Sequence, residues 1–157
     1  LIIVPRHTER ASEIARLTSS MGFVCQIRSE TPNLQEETEV YVADTMGEMG
    51  IWYSLVQIAF IGGSLVERGG HNPLEAAQLG VVSFHGPHIY NTSAKYRQLQ
   101  SEGVSYEVNN ADDIVERFNS LSFKELKAKA QKAKNISQVD MTAVEESVKV
   151  IKKALMI

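Results

Sequence analysis

The sequence has a single cysteine, Cys25, which excludes an intramolecular disulfide. Cys25 lies within the apolar run 23–27, so we expect a buried thiol in a reducing, cytosolic setting. Basic residues are not in excess either, because 16 Lys and Arg face 19 Asp and Glu, for a net charge of -3. Proteins that bind nucleic acid through its phosphates need a basic surface, so the composition argues against nucleic acid as a partner.

Long apolar runs and targeting segments are also missing. No stretch approaches the ~20 apolar residues of a membrane helix, and the N-terminus lacks the charged-then-apolar layout of a signal peptide. We therefore expect a soluble chain. Its 157 residues, of which 43% are hydrophobic, fit a single domain with one core. Because the apolar run 1–4 has neither an initiator methionine nor a turn before it, we expect a domain excised from a longer protein.

Short apolar runs rich in Val, Ile and Phe alternate along the chain with segments of helical period. This alternation is typical of a parallel sheet covered by helices on both faces, which predicts an α/β, Rossmann-like fold. The predicted strands are residues 1–4, 23–27, 40–43, 58–61, 81–84 and 105–108. The predicted helices are 8–21, 72–79 and 93–102, which stop at Gly22, Gly80 and Gly103, and then 112–120, 123–135 and 143–155.

The predicted helix 123–135 carries five lysines. Its apolar residues Phe123, Leu126, Ala130 and Ala133 follow the 3.6-residue period of a helix. We therefore expect the lysines to lie mostly on the opposite face, in solvent, with a weak membrane-surface contact as the alternative.

The most specific signal is the stretch GGSLVERGGHNPLE, residues 62–75, which follows the fourth predicted strand. In open parallel sheets, ligands bind beyond the carboxyl ends of the strands. Glycines in such a loop let the backbone approach an anion closely, and the loop contains Gly62, Gly63, Gly69 and Gly70. The loop matches neither G-x-G-x-x-G after a first strand nor G-x-x-x-x-G-K-[ST], so it indicates neither dinucleotide nor P-loop chemistry.

A helix start follows these glycines. Asn72 is a good N-cap, Pro73 suits the first turn, and Glu75 can return a hydrogen bond to the cap. The free N–H groups there would favour a phosphate by about 0.3–1 kcal/mol. The carboxylate of Glu75 could also accept hydrogen bonds from the two hydroxyls of a ribose. From the local pattern alone, a plain helix cap and a phosphate and ribose site both stay open.

Polar groups also follow the first and third predicted strands. Arg6 follows the first strand, where a guanidinium suits a phosphate or a base carbonyl, with a surface salt bridge as the alternative. Thr45 and Glu48 form a second capping pattern after the third strand. Met46 and Gly47 would present an apolar surface and an open backbone to a base or sugar, and a plain helix start is the alternative.

No metal site is predicted. Metal sites need ligands at characteristic spacings, and the histidines show none. No Asp-x-Asp pair accompanies these histidines, which are His7, His71, His85 and His88.

In four segments the sequence resembles the C-terminal half of the 3-deoxy-D-manno-octulosonic acid (Kdo) transferases: PRHTER, ADTMGEM, FIGGSLVERGGHNPLEAAQLG and HGPHIYN. The similarity covers nearly the whole chain, although the tail from Asp112 onward adds little. It implies the C-terminal, donor-binding lobe of a two-lobed GT-B glycosyltransferase. Such an enzyme would move Kdo from CMP-Kdo to a lipid A precursor, lipid IVA, at the cytoplasmic face of the bacterial inner membrane, in lipopolysaccharide core biosynthesis. Residues 1–157 would then form a single CMP-Kdo binding domain, and the N-terminal acceptor lobe would be absent from this chain.

The resemblance also implies roles for individual residues, which would contact CMP, line its pocket or hold its phosphate and ribose. The implied donor-binding residues are Pro5, Arg6, Met46, Gly47, Glu48, Gly63, His71, Asn72, Pro73, Leu74 and Glu75. The sequence departs from the family pattern at Thr8, Glu67 and Thr92. Since a carboxylate near the phosphate would repel it, we expect the Glu67 side chain to face solvent.

A mechanism without a metal ion fits this set. CMP leaves with a single phosphate, which a helix N-terminus and one or two donors could neutralise, so neither a metal nor another cofactor is expected. The resemblance implies a general base, a glutamate, in the N-terminal lobe. No catalytic residue is therefore expected in this chain, and the fragment alone should be inactive. The lipid acceptor site and the membrane-contacting surface would also belong mainly to the missing lobe.

Two other functions stay open. One is another GT-B enzyme that uses a UDP-sugar, a transferase or a 2-epimerase, which would share the glycine loop and the ribose carboxylate but prefer uridine nucleotides. The other is a non-catalytic nucleotide-binding module, which would gain no activity when joined to an N-terminal lobe.

Overall fold

Parallel strands and helices alternate along the chain, as the sequence predicts. The computed structural model describes the backbone of residues 1–155 and the side chains of residues 1–138 and 148–153. In the described backbone the elements are, in chain order, β1 (Ile2–Ile3), a 3-10 turn (Thr8–Arg10), α1 (Ala11–Ser20), β2 (Cys25–Ile27), β3 (Val40–Val42), α2 (Met49–Ser54), β4 (Ile58–Ile61), α3 (Leu74–Gln78), β5 (Val82–His85), α4 (Ser93–Ser101), β6 (Ser105–Glu107), α5 (Ala111–Ser120) and α6 (Phe123–Leu155).

The first of two compact units, residues 1–52, is built on a three-stranded parallel sheet. Strand β3 is central and pairs with β1 on one side and β2 on the other. Successive side chains of a strand point to opposite faces of the sheet. Val42 accordingly clusters with Ala11 of α1, whereas Tyr41 lies against Trp52, with ring centroids 5.7 Å apart. Both faces of β3 are therefore buried.

The second unit, residues 53–157, is built on another three-stranded parallel sheet, in which β5 lies between β4 and β6. Every residue of β5 is buried. Leu126 of α6 clusters with Val82 and Phe84 of this strand, and α3 packs against α6. Strand β5 is therefore the centre of the core of this unit.

The predicted strands are confirmed. All six are present, with ends that shift by at most two residues, and every strand pair is parallel. The structure therefore belongs to the predicted α/β class, with its strands paired as two three-stranded sheets. The three predicted helix stops are also confirmed, since Gly22, Gly80 and Gly103 follow helices at φ values of 92°, 80° and 66°. The single domain over residues 1–157 stays a prediction.

The predicted helices differ from the structure in two places. Segments 123–135 and 143–155 belong to one helix, α6, because neither glycine nor proline interrupts the chain between them. Helix α2 is absent from the predicted helices because six residues are too few to show a helical period, although a helix start near Thr45 and Glu48 was an open alternative. Of the described helices, none has the length and the apolar character that a bilayer crossing requires.

The burial of three side chains also differs from expectation. Phe123 is 70% exposed and does not share the buried face of α6. Lys129 is half-buried instead of fully solvated, and its ammonium donates a hydrogen bond to the Gly103 carbonyl at 2.8 Å. Cys25 is half-buried, and desolvation raises the pKa of its thiol. The other predicted lysines of α6 are exposed, as expected.

Candidate functional site

In the first unit, the segments after β1 and β3 lie at the same edge of the sheet, because the two strands are parallel neighbours. Pro5 and Arg6 follow β1, and Met46 and Gly47 follow β3. Arg6 is exposed, and no residue with a described side chain forms an ion pair or hydrogen bond with its guanidinium. Met46 is 82% exposed and Gly47 has a φ of 82°. This edge therefore offers an unpaired cation, within the described part of the chain, together with an apolar side chain and an open backbone.

The carboxylate of Glu48, which was predicted to cap a helix start, is bound by other side chains. It accepts hydrogen bonds from Nε and Nη2 of Arg28, at 3.3 and 3.2 Å, and from the hydroxyl of Thr45. The bond from Arg28, followed by that from Thr45, lowers the pKa of Glu48. The predicted capping box is therefore wrong. Helix α2 begins instead at the backbone carbonyl of Glu48, which accepts from the N–H of Ile51 at 2.9 Å.

In the second unit, the glycine loop after β4 closes on itself. The N–H of Gly70 donates to the carbonyl of Gly63 at 2.9 Å, and the N–H of His71 donates to the carbonyl of Gly62 at 3.3 Å. Gly63, Gly69 and Gly70 all have positive φ, at 73°, 83° and 68°. The loop therefore returns the chain to its starting point just before α3.

The glycines at the two ends of this loop meet different surroundings. A Cβ on Gly69 would lie 2.3 Å from Nδ2 of Asn91, and one on Gly70 would lie 3.1 Å from the carbonyl oxygen of His88. At these two positions the positive φ and the close approach of a neighbouring segment both favour glycine. A Cβ on Gly62 would meet nothing within 4 Å. The start of the loop is therefore the part that an anion can approach.

The helix start after the loop forms largely as predicted. The side chain of Asn72 accepts a hydrogen bond from the N–H of Leu74 at 3.0 Å, and Pro73 has helical dihedrals, with φ −81° and ψ −8°. Oδ1 of Asn72 therefore satisfies the N–H of Leu74, the first residue of α3, although the N-cap position itself is occupied by Pro73. Glu75 is exposed, and no described residue donates a hydrogen bond to its carboxylate, so the return bond of the capping box is not formed. Both oxygens of Glu75 are open to the hydroxyl groups of a ligand.

The histidines are dispersed rather than clustered. His85 is fully buried with Nδ1 2.8 Å from the carbonyl oxygen of Gly86, and burial lowers its pKa. His7 is exposed and lies 3.5 Å from a carboxylate oxygen of Glu9. Where side chains are described, no group of three or more His, Cys, Asp or Glu residues could hold a metal ion.

Comparison with known proteins decides the family. No protein-family model matches the sequence. The 3-deoxy-D-manno-octulosonic acid transferase of Haemophilus influenzae is 40% identical over 119 residues, which are 74% of this chain and 27% of that protein. The crystal structure of the C-terminal CMP-Kdo binding domain of WaaA from Acinetobacter baumannii matches with a TM-score of 0.76 and 33% identity, over 84% of this chain and 72% of that one. The chain belongs to the Kdo transferase family.

Other Kdo transferases are also similar to this chain. The one from Aquifex aeolicus is 33% identical over 121 residues, which are 77% of this chain and 33% of that protein. The chain thus spans about a third of the length of the curated relatives it matches. The resemblance drawn from the four sequence segments is confirmed, and so is the expected fold, that of the C-terminal lobe of a GT-B glycosyltransferase.

Within this Kdo transferase lobe, the predicted donor-binding residues fall into two groups. The group in the first unit lies after β1 and β3 and consists of Pro5, Arg6, Met46, Gly47 and Glu48. The group in the second unit lies on the glycine loop and the start of α3 and consists of Gly63, His71, Asn72, Pro73, Leu74 and Glu75. Their contacts with a donor stay predictions.

Sequence reasoning missed Arg28 in the first group. Besides Glu48, Arg28 donates to the carbonyl of Pro32 at 2.7 Å, and its guanidinium carbon lies 5.9 Å from the centroid of the Trp52 ring. The signal was present, because Arg28 directly follows β2, and the rule that selected Arg6 at the end of β1 selects Arg28 as well.

Sequence reasoning also missed Ser64 in the second group. Ser64 is fully buried, its hydroxyl donates to the carbonyl of Ile61 at 2.6 Å, and it accepts from the N–H of Gly86 at 2.9 Å. A Cβ on Gly86 would lie only 2.2 Å from the carbonyl oxygen of Ser64. The hydroxyl therefore ties the start of the glycine loop to the end of β5. A serine directly after two strand-end glycines was the available signal.

Proposed function

We propose that the chain binds CMP-Kdo and is the donor lobe of a Kdo transferase of lipopolysaccharide biosynthesis. The observation that carries the proposal is the exposed carboxylate of Glu75, which has no hydrogen-bond donor within the described residues and follows a capped helix start. The similarity to a domain of Acinetobacter baumannii described as CMP-Kdo binding supports the choice of ligand.

The second unit supplies groups for the ribose and the phosphate. Glu75 accepts hydrogen bonds from the two ribose hydroxyls, since a carboxylate has two oxygens and about four acceptor positions. Asn72 uses Oδ1 to cap the helix, so its Nδ2 is left to donate to the phosphate. Helix α3 has only five residues and a correspondingly small dipole, so these side chains and the start of the loop, where Gly62 leaves open space, carry the binding. Glu67 is exposed, as expected, and water screens its charge.

The first unit supplies a cation and an apolar surface. Arg6 donates to the phosphate or to the carbonyl of cytosine, for which a guanidinium has several donors in a fixed geometry. Met46 packs against the base, and Gly47 lets the ligand approach the backbone. Glu48 belongs to the same segment. Because Arg28 binds its carboxylate, Glu48 fixes the position of the segment and does not accept hydrogen bonds from the ligand.

The reaction of the whole enzyme needs groups outside this chain. The acceptor hydroxyl attacks the anomeric carbon of Kdo, the bond from that carbon to the phosphate oxygen breaks, and CMP leaves. The loop donors stabilise the charge that grows on the phosphate, without a metal ion. The proton of the acceptor hydroxyl passes to a base in the N-terminal lobe, so this chain alone is inactive. That lobe also binds the lipid A precursor, lipid IVA, and contacts the membrane at the cytoplasmic face of the inner membrane.

A titration of the chain with CMP, UDP and NAD, followed through amide NMR signals, tests the proposal. We expect millimolar CMP to shift the amides of residues 46–48 and 72–75, and UDP and NAD to cause smaller shifts. The preference for CMP separates a Kdo transferase from an enzyme that uses a UDP-sugar. If CMP shifts neither segment, the proposal is wrong.

Two arginine variants add a matched control. Arg6→Ala should weaken CMP binding, because it removes a cation that no described residue pairs. Arg10→Ala removes an equally exposed cation that pairs with Glu13 at 3.2 Å, and it should leave CMP binding unchanged. Equal losses in both variants would mean that only the net charge matters.

A further inference from the structure

Tyr96 joins the core of the second unit to the segment that precedes α3. It lies on α4 and is fully buried. Its ring lies against that of His85, with centroids 4.3 Å apart and an angle of 51° between the planes. Its hydroxyl donates a hydrogen bond of 2.8 Å to the carbonyl of His71. One side chain therefore spans from the end of β5 to the residue before Asn72.

Two backbone groups of His71, its N–H and its carbonyl, hold this part of the loop between the buried residues Gly70 and Pro73. Its hydrogen bond from the N–H of His71 to the carbonyl of Gly62 is long, at 3.3 Å. The bond from Tyr96 is shorter, at 2.8 Å, and partly buried, so it is stronger and harder to replace with water than a fully exposed bond.

The surroundings of Tyr96 do not otherwise require a hydroxyl. Its neighbours in the core cluster are the apolar residues Ile61, Ala76 and Val81, against which a phenylalanine would pack equally well. Burial, with a smaller contribution from Tyr53, raises the pKa of Tyr96, so that the hydroxyl stays protonated and can donate at any physiological pH. The hydroxyl therefore serves the loop rather than the core.

We propose that Tyr96 is a positioning residue for donor binding: by holding the His71 carbonyl it sets the conformation of residues 71–75, from which Asn72 and Glu75 reach the nucleotide. The inference rests on the proposed function, because it assigns Tyr96 an effect on CMP. The inference also predicts that the Tyr96 hydroxyl orders residues 71–75 in the ligand-free protein.

Tyr106 provides a matched control in the same unit. Its hydroxyl also donates to a backbone carbonyl, that of Gly103, at the same distance of 2.8 Å. Gly103 lies after α4 and carries no predicted donor contact. Tyr96→Phe and Tyr106→Phe thus each remove one hydroxyl and one hydrogen bond to a backbone carbonyl, and only the first removes a bond to the donor-binding loop.

The experiment compares the two variants with the wild-type chain in three measurements: the dissociation constant for CMP, amide hydrogen exchange in the absence of ligand, and the melting temperature. We expect Tyr96→Phe to weaken CMP by about three- to tenfold, the loss of one hydrogen bond, and to speed exchange of the amides of residues 71–75. Tyr106→Phe should leave CMP binding and exchange at 71–75 unchanged. The melting temperature of Tyr106→Phe should fall less than that of Tyr96→Phe, because Lys129 still donates to the Gly103 carbonyl.

Three other outcomes would each contradict one part of the proposal. If Tyr96→Phe matches the wild type in both CMP affinity and exchange at 71–75, Tyr96 does not position the loop. If both variants lose affinity equally, the effect follows global stability and the inference is wrong. If the wild-type chain does not bind CMP at all, the proposed function fails, and exchange at 71–75 in the two variants still decides whether Tyr96 orders the loop.

Discussion

Two loops of this lobe carry the same four-residue pattern and use it differently. Asn72 and Glu75 in one, and Thr45 and Glu48 in the other, match a cap followed by a glutamate three residues later. In the first loop Asn72 bonds the first N–H of α3, and Glu75 has no hydrogen-bond or ion-pair partner among the described residues. In the second loop Arg28, from the end of a neighbouring strand, binds the glutamate, and the helix begins later. The local pattern indicates that a helix starts nearby, and the surrounding strands decide what its glutamate binds.

Replacing Glu75 or Glu48 by glutamine should give the largest difference in effect between the two loops. Glu75→Gln keeps one acceptor oxygen but loses the equivalent of one charge-assisted hydrogen bond to the ribose, about 1.5–3 kcal/mol, so CMP affinity should fall by about ten- to a hundredfold. Since Glu75 is exposed and unpaired within the described residues, the free energy of unfolding should change by less than about 0.5 kcal/mol. Calorimetric titration with CMP and urea denaturation measure the two quantities.

Glu48→Gln is the control for this comparison. It removes the charged partner of Arg28, so it should lower the free energy of unfolding while weakening CMP less than Glu75→Gln does. The contrast between the loops disappears if both variants lose the same affinity, or if Glu75→Gln is the more destabilising of the two.

Two glycine variants compare the space around each loop. Gly47 and Gly69 have nearly the same φ, 82° and 83°, but a Cβ would meet nothing within 4 Å at Gly47 and would lie 2.3 Å from Asn91 at Gly69. Gly47→Ala should cost about 1–2 kcal/mol of unfolding free energy from backbone strain alone. Gly69→Ala should cost about 1–3 kcal/mol more, because a side chain must also move. Urea denaturation measures the loss of unfolding free energy in both variants. Equal losses would show that the side chain next to Gly69 moves aside at no cost in free energy.

Two asparagine caps test whether capping and ligand binding are separate roles. Asn72 caps the first N–H of α3, and Asn110 caps α5 by accepting from the N–H of Asp113 at 2.9 Å. Replacing either by alanine should cost about 1 kcal/mol of unfolding free energy. Only Asn72→Ala should also weaken CMP, as measured by titration. Unchanged CMP affinity in Asn72→Ala would remove Asn72 from the donor site and leave it as a cap.

The smallest effect should appear in the pH dependence of stability. The pKa of Glu48 in the folded chain lies below its ordinary value of 4.5, chiefly because of the bond from Arg28. Its ionised form therefore contributes stability above about pH 4.5, and this contribution is lost as the pH falls through the lower, folded-state pKa. The effect is small because the pair is partly exposed to solvent.

Unfolding free energies of the wild type and of Glu48→Gln, measured from neutral to acidic pH, test this expectation. The wild type should lose its advantage over the variant as the pH falls below the ordinary pKa. Asp113 and Glu125 also have lowered pKa values, but both proteins share them, so the difference isolates Glu48. Two parallel curves would show that the ion pair contributes nothing to stability.

Local features of the fold could be predicted because they depend on neighbours in sequence. Strand β4 coincides with its predicted range, since four apolar residues bounded by polar ones and glycines leave few alternatives. The cap at Asn72 follows from Asn-Pro, whose two side chains both suit a helix start. The four family segments likewise carried the family assignment.

Contacts between distant residues could not be predicted in the same way. The bonds of Arg28 to Glu48 span 20 residues, and the short sequence pattern around Glu48 does not contain Arg28. The glycine at 69 suggested an anion, but the sequence around it does not show that Asn91, from the segment after β5, also leaves no room for a side chain. Tyr96, 25 residues from His71, gave no local signal at all, because an apolar ring on an amphipathic helix is the ordinary choice.

The parallel pairing of every strand has a consequence for how the chain acquires its structure. Strand β1 pairs with β3, so Ile2 cannot form its interstrand hydrogen bonds until Tyr41 has been synthesised. At a synthesis rate of about 5–20 residues per second, this apolar segment spends seconds on the ribosome without its partner. Pairings of such long range also make refolding slow, on a scale of about milliseconds to seconds. We therefore expect the segment around Ile2 to be the part of this lobe that a chaperone meets first.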